Sequence, residues 1–276
     1  MSRSLPAPIA RNRPALHPQH AGQPSFFDTH VIKRGDTAVL GRFFLEAESA
    51  LDAMGITVRL VTLAELHDVF MANQDSWFVL GPPFHIKETA LGDEGAACFA
   101  GFDATGRAVC TVAARHYDLG GESLTTWVRN MRFFYGDNAE RLRHKFGLNL
   151  TAPIADEIKG RVVNLGAQWV HPDHRHGGIN IIMGLVARAF ALSEWEFDHE
   201  VLCGRGRLGD PDVLAQYHFA HSQKTFQIVI DRKVTYDGKL IWTPADLVAR
   251  IYASGAARRD IEASSRTGDG QQIARA

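Results

Sequence analysis

Apolar residues recur at helical spacing in four stretches of the chain. From Thr37 to Met54 they fall on one helical face, and Gly55 stands where such a helix can end. Thr62 precedes another stretch and is followed three residues later by Glu65, which is the pattern of a capping box. The spacing predicts helices over residues 37–54, 62–70, 178–191 and 212–224.

Short runs rich in β-branched and apolar residues alternate with these helices. Two runs flank Asp103-Ala104-Thr105-Gly106 and predict a hairpin, and a final hairpin is predicted with its turn near Asp237-Gly238. The predicted strands are residues 56–61, 96–102, 108–115, 161–170, 200–203, 226–230 and 234–242. This order of elements predicts a mixed α/β fold, with a strand–helix–strand–helix–strand run in the middle.

Both ends of the chain lack apolar periodicity. Five of the eleven prolines lie before residue 25, and no aromatic residue follows Ser254. We therefore expect disordered tails over residues 1–25 and 253–276, and one domain over residues 26–252. Within that domain, residues 117–160 are rich in aromatic and basic side chains and predict a helical insertion.

Composition excludes several classes of protein. Thirty basic residues face thirty-one acidic ones, for a net charge of -1, which disfavours a dedicated nucleic-acid binder. The three cysteines form no CxxC pair, which disfavours a disulfide framework or a cysteine zinc site. No apolar run is long enough to span a membrane or to form a signal peptide. We expect a cytoplasmic protein.

The stretch from Val170 to Asn180 is typical of an anion site. A strand ends at Val170, and a loop with Arg175, Gly177 and Gly178 opens directly into a helix. The first N–H groups of a helix have no internal partner, and the helix dipole favours negative charge there. Glycine lets the backbone approach a phosphate closely, and arginine adds charge and donors.

The residues Val170-x-Pro172-x-x-Arg175-x-x-Gly178 resemble motif A of the GNAT acyltransferase superfamily. The resemblance covers roughly residues 56–242 and implies a mixed, mostly antiparallel central sheet flanked by helices. It departs from the pattern at Asn180, where glycine or alanine is expected and where the asparagine side chain crowds the phosphates.

The resemblance implies a cofactor and an activity. The protein would be an N-acyltransferase that uses acetyl-coenzyme A or a longer acyl-coenzyme A, with an acyl carrier protein as the other donor. The acceptor would be an amine of a small molecule or peptide. The implied cofactor-binding residues are Val170, Arg175, His176, Gly177, Gly178, Ile179 and Asn180.

The resemblance also implies catalytic roles. The Val170 N–H would polarise the thioester carbonyl, and Tyr217 would protonate the leaving thiolate. Alternation along a strand places residues 164, 166, 168 and 170 on one face, and none of them is a base. His171, or a water held by Asn164 and Gln168, is the candidate base.

Two other functions stay open. Asn180 and the missing base suit a catalytically silent GNAT-like binding module. The run Gly204-Arg205-Gly206-Arg207-Leu208-Gly209, with Asp231 twenty-two residues beyond Gly209, has the spacing of a dinucleotide-binding loop and suits an NAD(P)-dependent oxidoreductase. A ligand-free strand-to-helix connection is the plain structural alternative for both glycine loops.

The remaining histidines and the insertion complete the predictions. His218 and His221 have helical metal-site spacing but no placed acidic partner, so we predict no metal. Basic residues of the insertion outnumber its acidic ones, which favours a lid over an acidic acceptor or carrier protein; a thicker core or a homodimer contact is the alternative. These bases are Arg129, Arg132, Arg141, Arg143, His144 and Lys145.

Overall fold

An eight-stranded sheet organises the chain. In the computed structural model, residues 24–142, 146–175, 177–204, 206–230 and 233–273 are described. The strands run in the spatial order β1-β2-β3-β5-β6-β8-β7-β4. They are β1 (Thr57–Val61), β2 (Ala96–Phe102), β3 (Ala108–Asp118), β4 (Phe146–Leu150), β5 (Arg161–Val170), β6 (His199–Gly204), β7 (His221–Ile230) and β8 (Lys233–Pro244).

Helices cover this sheet and the connections between its strands. The long ones are α2, α3, α8, α10 and α11, and the others are one or two turns. They are α1 (Phe26–Thr29), α2 (Thr37–Ala53), α3 (Leu63–Ala72), α4 (Leu124–Arg129), α5 (Arg132–Tyr135), α6 (Ala139–Leu142), α7 (Ile154–Glu157), α8 (Ile179–Glu194), α9 (Pro211–Gln216), α10 (Ala245–Ala253) and α11 (Ala256–Ile273). None of the described helices is long and apolar enough to cross a membrane.

The sheet is mixed and mostly antiparallel. β5 and β6 pair in parallel, and all the other pairs of neighbouring strands are antiparallel. The predicted mixed α/β fold, a mostly antiparallel sheet flanked by helices, is confirmed. The predicted hairpin of β2 and β3 and the capping box of Thr62 and Glu65 are also confirmed.

The main core lies between the sheet and helices α2 and α8. Leu51 of α2 and Ile182 and Val186 of α8 are fully buried there against β3 and β5. These positions belong to the apolar faces that the sequence predicted, because burial of an amphipathic face stabilises each helix. Helix α8 therefore starts beside the carboxyl end of β5, and this junction positions the candidate site.

The insertion is more than helical. Residues 117–160 contain four short helices, but they also contain β4, which pairs with β7 at the edge of the sheet. The prediction of a purely helical insertion is wrong in this respect. Its apolar side chains form a second core with β7 and β8, which includes Phe134, Leu148 and Phe226.

The C-terminal segment is ordered where the structure describes it. The expectation of disorder after residue 252 is wrong for Ala256–Ile273, which forms α11. Ala257, Ile261 and Ser264 are buried, and their spacing of four and three residues puts them on one helical face. At the other end, Ser25 caps α1, and residues 1–23 lie outside the described residues.

The predicted helix over residues 212–224 is also wrong beyond Gln216. Helix α9 stops there, His218 has a φ of +53°, and β7 starts at His221. The final hairpin turns between β7 and β8 rather than near Asp237-Gly238, since Gly238 pairs with Phe226 inside the ladder. Pairing with β8 stabilises polar residues of β7 as a strand, although they show no alternation.

Candidate active site

The central strand β5 carries a bulge. Ala167 has a φ of +51°, and the register against β3 shifts between Thr111 and Ala113. The Thr111 hydroxyl donates a hydrogen bond of 2.7 Å to the Ala167 carbonyl and holds the bulged backbone. A bulge adds one residue to its strand and re-aims the side chains that follow.

This bulge overturns the predicted common face of residues 164, 166, 168 and 170. Leu165 and Val170 pack in the same core on the α8 side, although they are five positions apart. Strict alternation would place them on opposite faces. Val170 therefore faces the core beneath α8, away from Asn164.

Strands β5 and β6 separate beyond the start of their pairing. Their parallel register extends only from Val162 opposite His199 to Asn164 opposite Val201. Leu165 to Gln168 of β5 and Leu202 to Gly204 of β6 then face each other across a cavity. The sheet is thus open at its centre, next to the beginning of α8.

The loop from β5 to α8 carries the residues that the sequence analysis proposed for an anion site. Gly178 is the residue before α8 and has a φ of +72°, which favours glycine. Arg175 is exposed, and its guanidinium donates to the Val170 carbonyl at 3.2 Å and to the Ser76 carbonyl at 3.4 Å. His176, predicted to bind the cofactor, lies outside the described residues.

Helix α11 packs directly against this loop. A Cβ atom on Gly178 would lie 2.4 Å from Ser264 Cβ, closer than atoms can approach. Gly178 is therefore required by helix packing as well as by its φ. Residues of α11 also close one side of the cavity at this loop, and the contact between His218 Nε2 and Asp260 fixes α11 to the segment after α9.

We expect Gly178→Ala to destabilise the fold. The left-handed backbone alone costs about 1–2 kcal/mol for a residue with a Cβ, and the contact with Ser264 adds to that cost. The matched control is Gly177→Ala, whose Cβ would meet nothing closer than the His174 carbonyl at 3.9 Å. Denaturant unfolding measures both; equal midpoints for the two variants would contradict the packing described here.

Two cavities meet at the opening of the sheet. The loop cavity has a volume of about 920 Å³ and is lined by Arg175, Gly178, Asn180 and α11. The sheet cavity has a volume of about 500 Å³ and lies between the separated strands and the insertion. Five residues line both of them, namely Phe78, Val79, Gln168, Ile181 and Tyr217.

Tyr217 stands at this junction. It follows α9, and its phenolic oxygen accepts a hydrogen bond from the Asn180 side-chain amide. Burial raises the pKa of Tyr217, and the bond from Asn180 only partly opposes this rise. The phenol therefore keeps its proton at neutral pH and can donate it. The Asn180 side chain is turned to Tyr217 rather than across the phosphate loop.

A buried ion pair holds the backbone of Tyr217. Arg188 of α8 and Glu200 of β6 are each 2% exposed and join at 2.6 Å. Arg188 also donates to the Tyr217 carbonyl at 2.5 Å and stacks over the Phe219 ring at 4.9 Å. Burial raises the pKa of Glu200, and Arg188 opposes that rise. Sequence inspection missed this pair because its partners lie in separate elements and match no motif.

The other predicted catalytic residues fall in different places. Gln168 lines both cavities, and its amide donates to the Asn180 carbonyl at 2.5 Å. Asn164 is buried and lines the sheet cavity. His171 lines neither cavity; its Nδ1 accepts from the Asp173 N–H at 3.2 Å.

The other predicted ligand sites gain no support from the topology. β7, the strand after the glycine run 204–209, pairs with β8 and not in parallel with β6, so no dinucleotide-type βαβ unit follows. Arg205 and Asp231 lie outside the described residues. His218 and His221 do not share a helix, and the described residues contain no cluster of three or more metal-ligating side chains.

Comparisons with known proteins give structural likeness only. No protein-family model matches the sequence, and no curated protein matches it. One similar solved structure is NAA60 of Arabidopsis thaliana with a bisubstrate analogue, at a TM-score of 0.42 and 11% identity over 68% of this chain and 97% of that one. Another is the Vibrio cholerae spermidine N-acetyltransferase with CoA and spermine. Its TM-score is 0.38, with 11% identity over 71% of this chain and 98% of that one.

A third is FeeM, an N-acyl amino acid synthase from uncultured soil microbes, at a TM-score of 0.38 and 10% identity over 69% of this chain and 91% of that one. The names of the second and third describe an N-acetyltransferase and an N-acyl amino acid synthase. TM-scores below 0.5 leave the function of this chain to be argued from its own site.

Proposed function

We propose that this protein transfers an acyl group from a phosphopantetheine thioester, carried by coenzyme A, to an amine. One observation carries the proposal: where strands β5 and β6 separate, the cavity at the start of α8 meets an interior cavity, and Tyr217 is one of the five residues that line both. A long donor with phosphates at one end and a thioester at the other fits such a path.

The two ends of the donor would occupy different groups. The N–H groups at the start of α8 and the Arg175 guanidinium suit the phosphates, because both present positive charge to the loop cavity. The pantetheine arm would run along the opened edge of β5. Its sulfur would then lie near Tyr217, where the two cavities meet.

The chemical step is an acyl substitution. The amine nitrogen attacks the thioester carbonyl and forms a C–N bond, and collapse of the tetrahedral intermediate breaks the C–S bond. The Tyr217 phenol gives its proton to the leaving thiolate, and the nitrogen loses one proton to water in the sheet cavity, which Asn164 and Gln168 both line. That water returns the proton to the Tyr217 phenolate. The products are an amide and a free thiol, with no change of oxidation state.

The identity of the donor can be tested by measuring the binding of coenzyme A and of smaller molecules that contain only part of it. Calorimetry compares coenzyme A, phosphopantetheine and pantetheine, which differ in the number of their phosphates; coenzyme A also carries an adenosine. Hydrogen bonds to charged groups contribute about 1.5–3 kcal/mol, so we expect coenzyme A to bind roughly 10- to 100-fold more tightly than pantetheine. If none of the three binds, the proposal fails. Equal binding of coenzyme A and phosphopantetheine would favour a carrier protein as the donor.

We expect Arg175→Ala to remove most of the difference between coenzyme A and pantetheine. The exposed guanidinium is at the loop cavity, so its loss should weaken coenzyme A and leave pantetheine unchanged. The matched control is Arg250→Ala, an exposed arginine on α10 that pairs with Asp246. An Arg175→Ala variant with an unaltered preference would remove Arg175 from the site.

The insertion bears on which amine acceptor or carrier protein the site would take, and both stay part of the proposal. The insertion forms one wall of the sheet cavity through Phe134, Tyr135 and Leu148, which suits a lid over the reacting thioester. Of its bases, Arg132 contacts Glu122 and stacks over the Trp127 ring at 4.6 Å, so part of its charge is neutralised. Residues 143–145 lie outside the described residues.

A further inference from the structure

We propose that the transferred acyl group is a long alkyl chain, held in the sheet cavity. This inference rests on the proposed function and concerns the substrate of the same site. The cavity has a volume of about 500 Å³, within the range of pockets that enclose whole ligands, whereas an acetyl group adds only one methyl to the thioester carbonyl.

The walls of the sheet cavity are mostly hydrocarbon, and its polar side chains include Asn164, Gln168, Arg188 and Tyr217. Aliphatic and aromatic side chains from β3, β5, β6, β7, α8 and the insertion point into it, among them Val112, Leu165, Leu185, Leu202 and Ile228. Hydrocarbon chains bind such surfaces because their transfer from water is favourable for each methylene buried.

The insertion supplies the end of the cavity away from the phosphate loop. Phe134 of α5 and Leu148 of β4 line it, and the rings of Phe134 and Phe226 lie 5.5 Å apart. Phe226 belongs to β7, and β4 reaches this place only by pairing with β7. The insertion therefore adds an apolar end wall to a cavity that an acetyl group would not fill.

The side wall is held rigidly. Arg115, which is 2% exposed, donates to four backbone carbonyls of the segment between α3 and β2: Pro83 at 3.0 Å, Leu91 at 3.5 Å, Gly92 at 2.7 Å and Glu94 at 3.0 Å. These hydrogen bonds fix the segment that contains Phe84. The Phe84 ring fills the space beside Gly166, because a Cβ atom on Gly166 would lie 2.6 Å from Phe84 Cε2. A preformed wall lowers the entropic cost of ordering the site when a chain binds.

The mouth of the sheet cavity is also apolar. Phe78 and Val79 line both cavities, and they are 81% and 56% exposed. Large apolar side chains at an exposed rim often mark the place where an apolar ligand passes. A chain attached to the sulfur beside Tyr217 would pass this rim into the interior.

Stable S-alkyl thioethers of coenzyme A, from two to about sixteen carbons, test the inference without turnover. Each buried methylene should tighten binding about fourfold until the cavity is full, after which affinity levels off. Calorimetry on the full chain measures the series. An affinity independent of length, with coenzyme A still bound, would overturn the long-chain inference alone. No binding by any member, coenzyme A included, would overturn the proposed function as well.

Leu148→Phe tests the end wall. The larger side chain should shorten the preferred alkyl chain by a few methylenes and leave the affinity for coenzyme A unchanged. The control is Leu150→Phe, in the same strand and equally buried but not lining the sheet cavity; it should change stability and not the preferred length. An unchanged preference in folded Leu148→Phe would overturn the inference. If that variant does not fold, the length series on the unmodified protein still decides.

Discussion

Tyr217→Phe is expected to lower kcat by roughly 10²- to 10⁴-fold, with little change in the affinity for the donor. The variant keeps the aromatic ring, and so the wall of both cavities, but loses the proton for the leaving thiolate. Raising the pKa of this phenol through burial keeps the proton on the oxygen until the thiolate forms. Single-turnover kinetics with an acyl-coenzyme A would separate this chemical step from product release.

Tyr252→Phe is the matched control. Its hydroxyl donates to the Leu185 carbonyl at 2.7 Å, and the side chain is buried in the main core, away from the lining of either cavity. Removing it should cost about 1–3 kcal/mol of stability, because a buried carbonyl loses its partner, and should leave kcat unchanged. A Tyr217→Phe variant with normal kcat and reduced stability would make Tyr217 a packing residue.

Arg188→Met is expected to reduce the free energy of unfolding by about 3–5 kcal/mol. The change leaves the Glu200 carboxylate in the core without its partner, 2% exposed between β6 and α8. It also removes the donor to the Tyr217 carbonyl, so kcat should fall even in molecules that remain folded. Denaturant unfolding gives the stability, and turnover at low temperature gives the second effect.

The loss of stability in Arg188→Met should depend on pH, because the charge of Glu200 does. Burial raises the pKa of Glu200, and removing Arg188 raises it further, so the native state binds this proton more tightly than the unfolded chain. A carboxyl with a raised pKa in the folded state favours folding at low pH, and this contribution is lost as the pH rises. The deficit of Arg188→Met should therefore be smallest in acid and should grow as the pH rises past the usual glutamate pKa.

Adding Glu200→Gln to Arg188→Met provides the control. The double variant has no buried charge, so it should recover much of the lost stability and lose the pH dependence. It should not recover kcat, because the donor to the Tyr217 carbonyl is still absent. Equal stability of the single and double variants at every pH would show that the pKa of Glu200 is the same in the folded and unfolded chains, which would contradict a pKa raised by burial.

The sequence alone predicted those elements whose pattern of residues lies within the element itself. The apolar faces of α2 and α8 and the capping box at Thr62 depend on residues within a few positions of each other, and all three are present. The glycine before α8 is also a local feature, because Gly178 adopts a positive φ. Such features do not depend on which strands become neighbours.

Features set by distant partners were not predictable in the same way. Polar β7 residues such as Gln223 and Lys224 are strand because β8 pairs with them. The bulge at Ala167 has no glycine of its own and depends on the register with β3. Helix α11, in contrast, had a visible signal, since Ala257, Ile261 and Ser264 form a stripe at helical spacing.

The pairing of β4 with β7 sets an order on folding. Phe146 pairs with Ile230 and Leu150 with Phe226, partners that are roughly eighty residues apart along the chain. On a ribosome that adds about 5–20 residues per second, the apolar insertion waits several seconds before β7 exists. During that interval Phe134 and Leu148 have no Phe226 to cover them, so the segment that completes the sheet cavity is also the one most exposed to chaperones and to self-association.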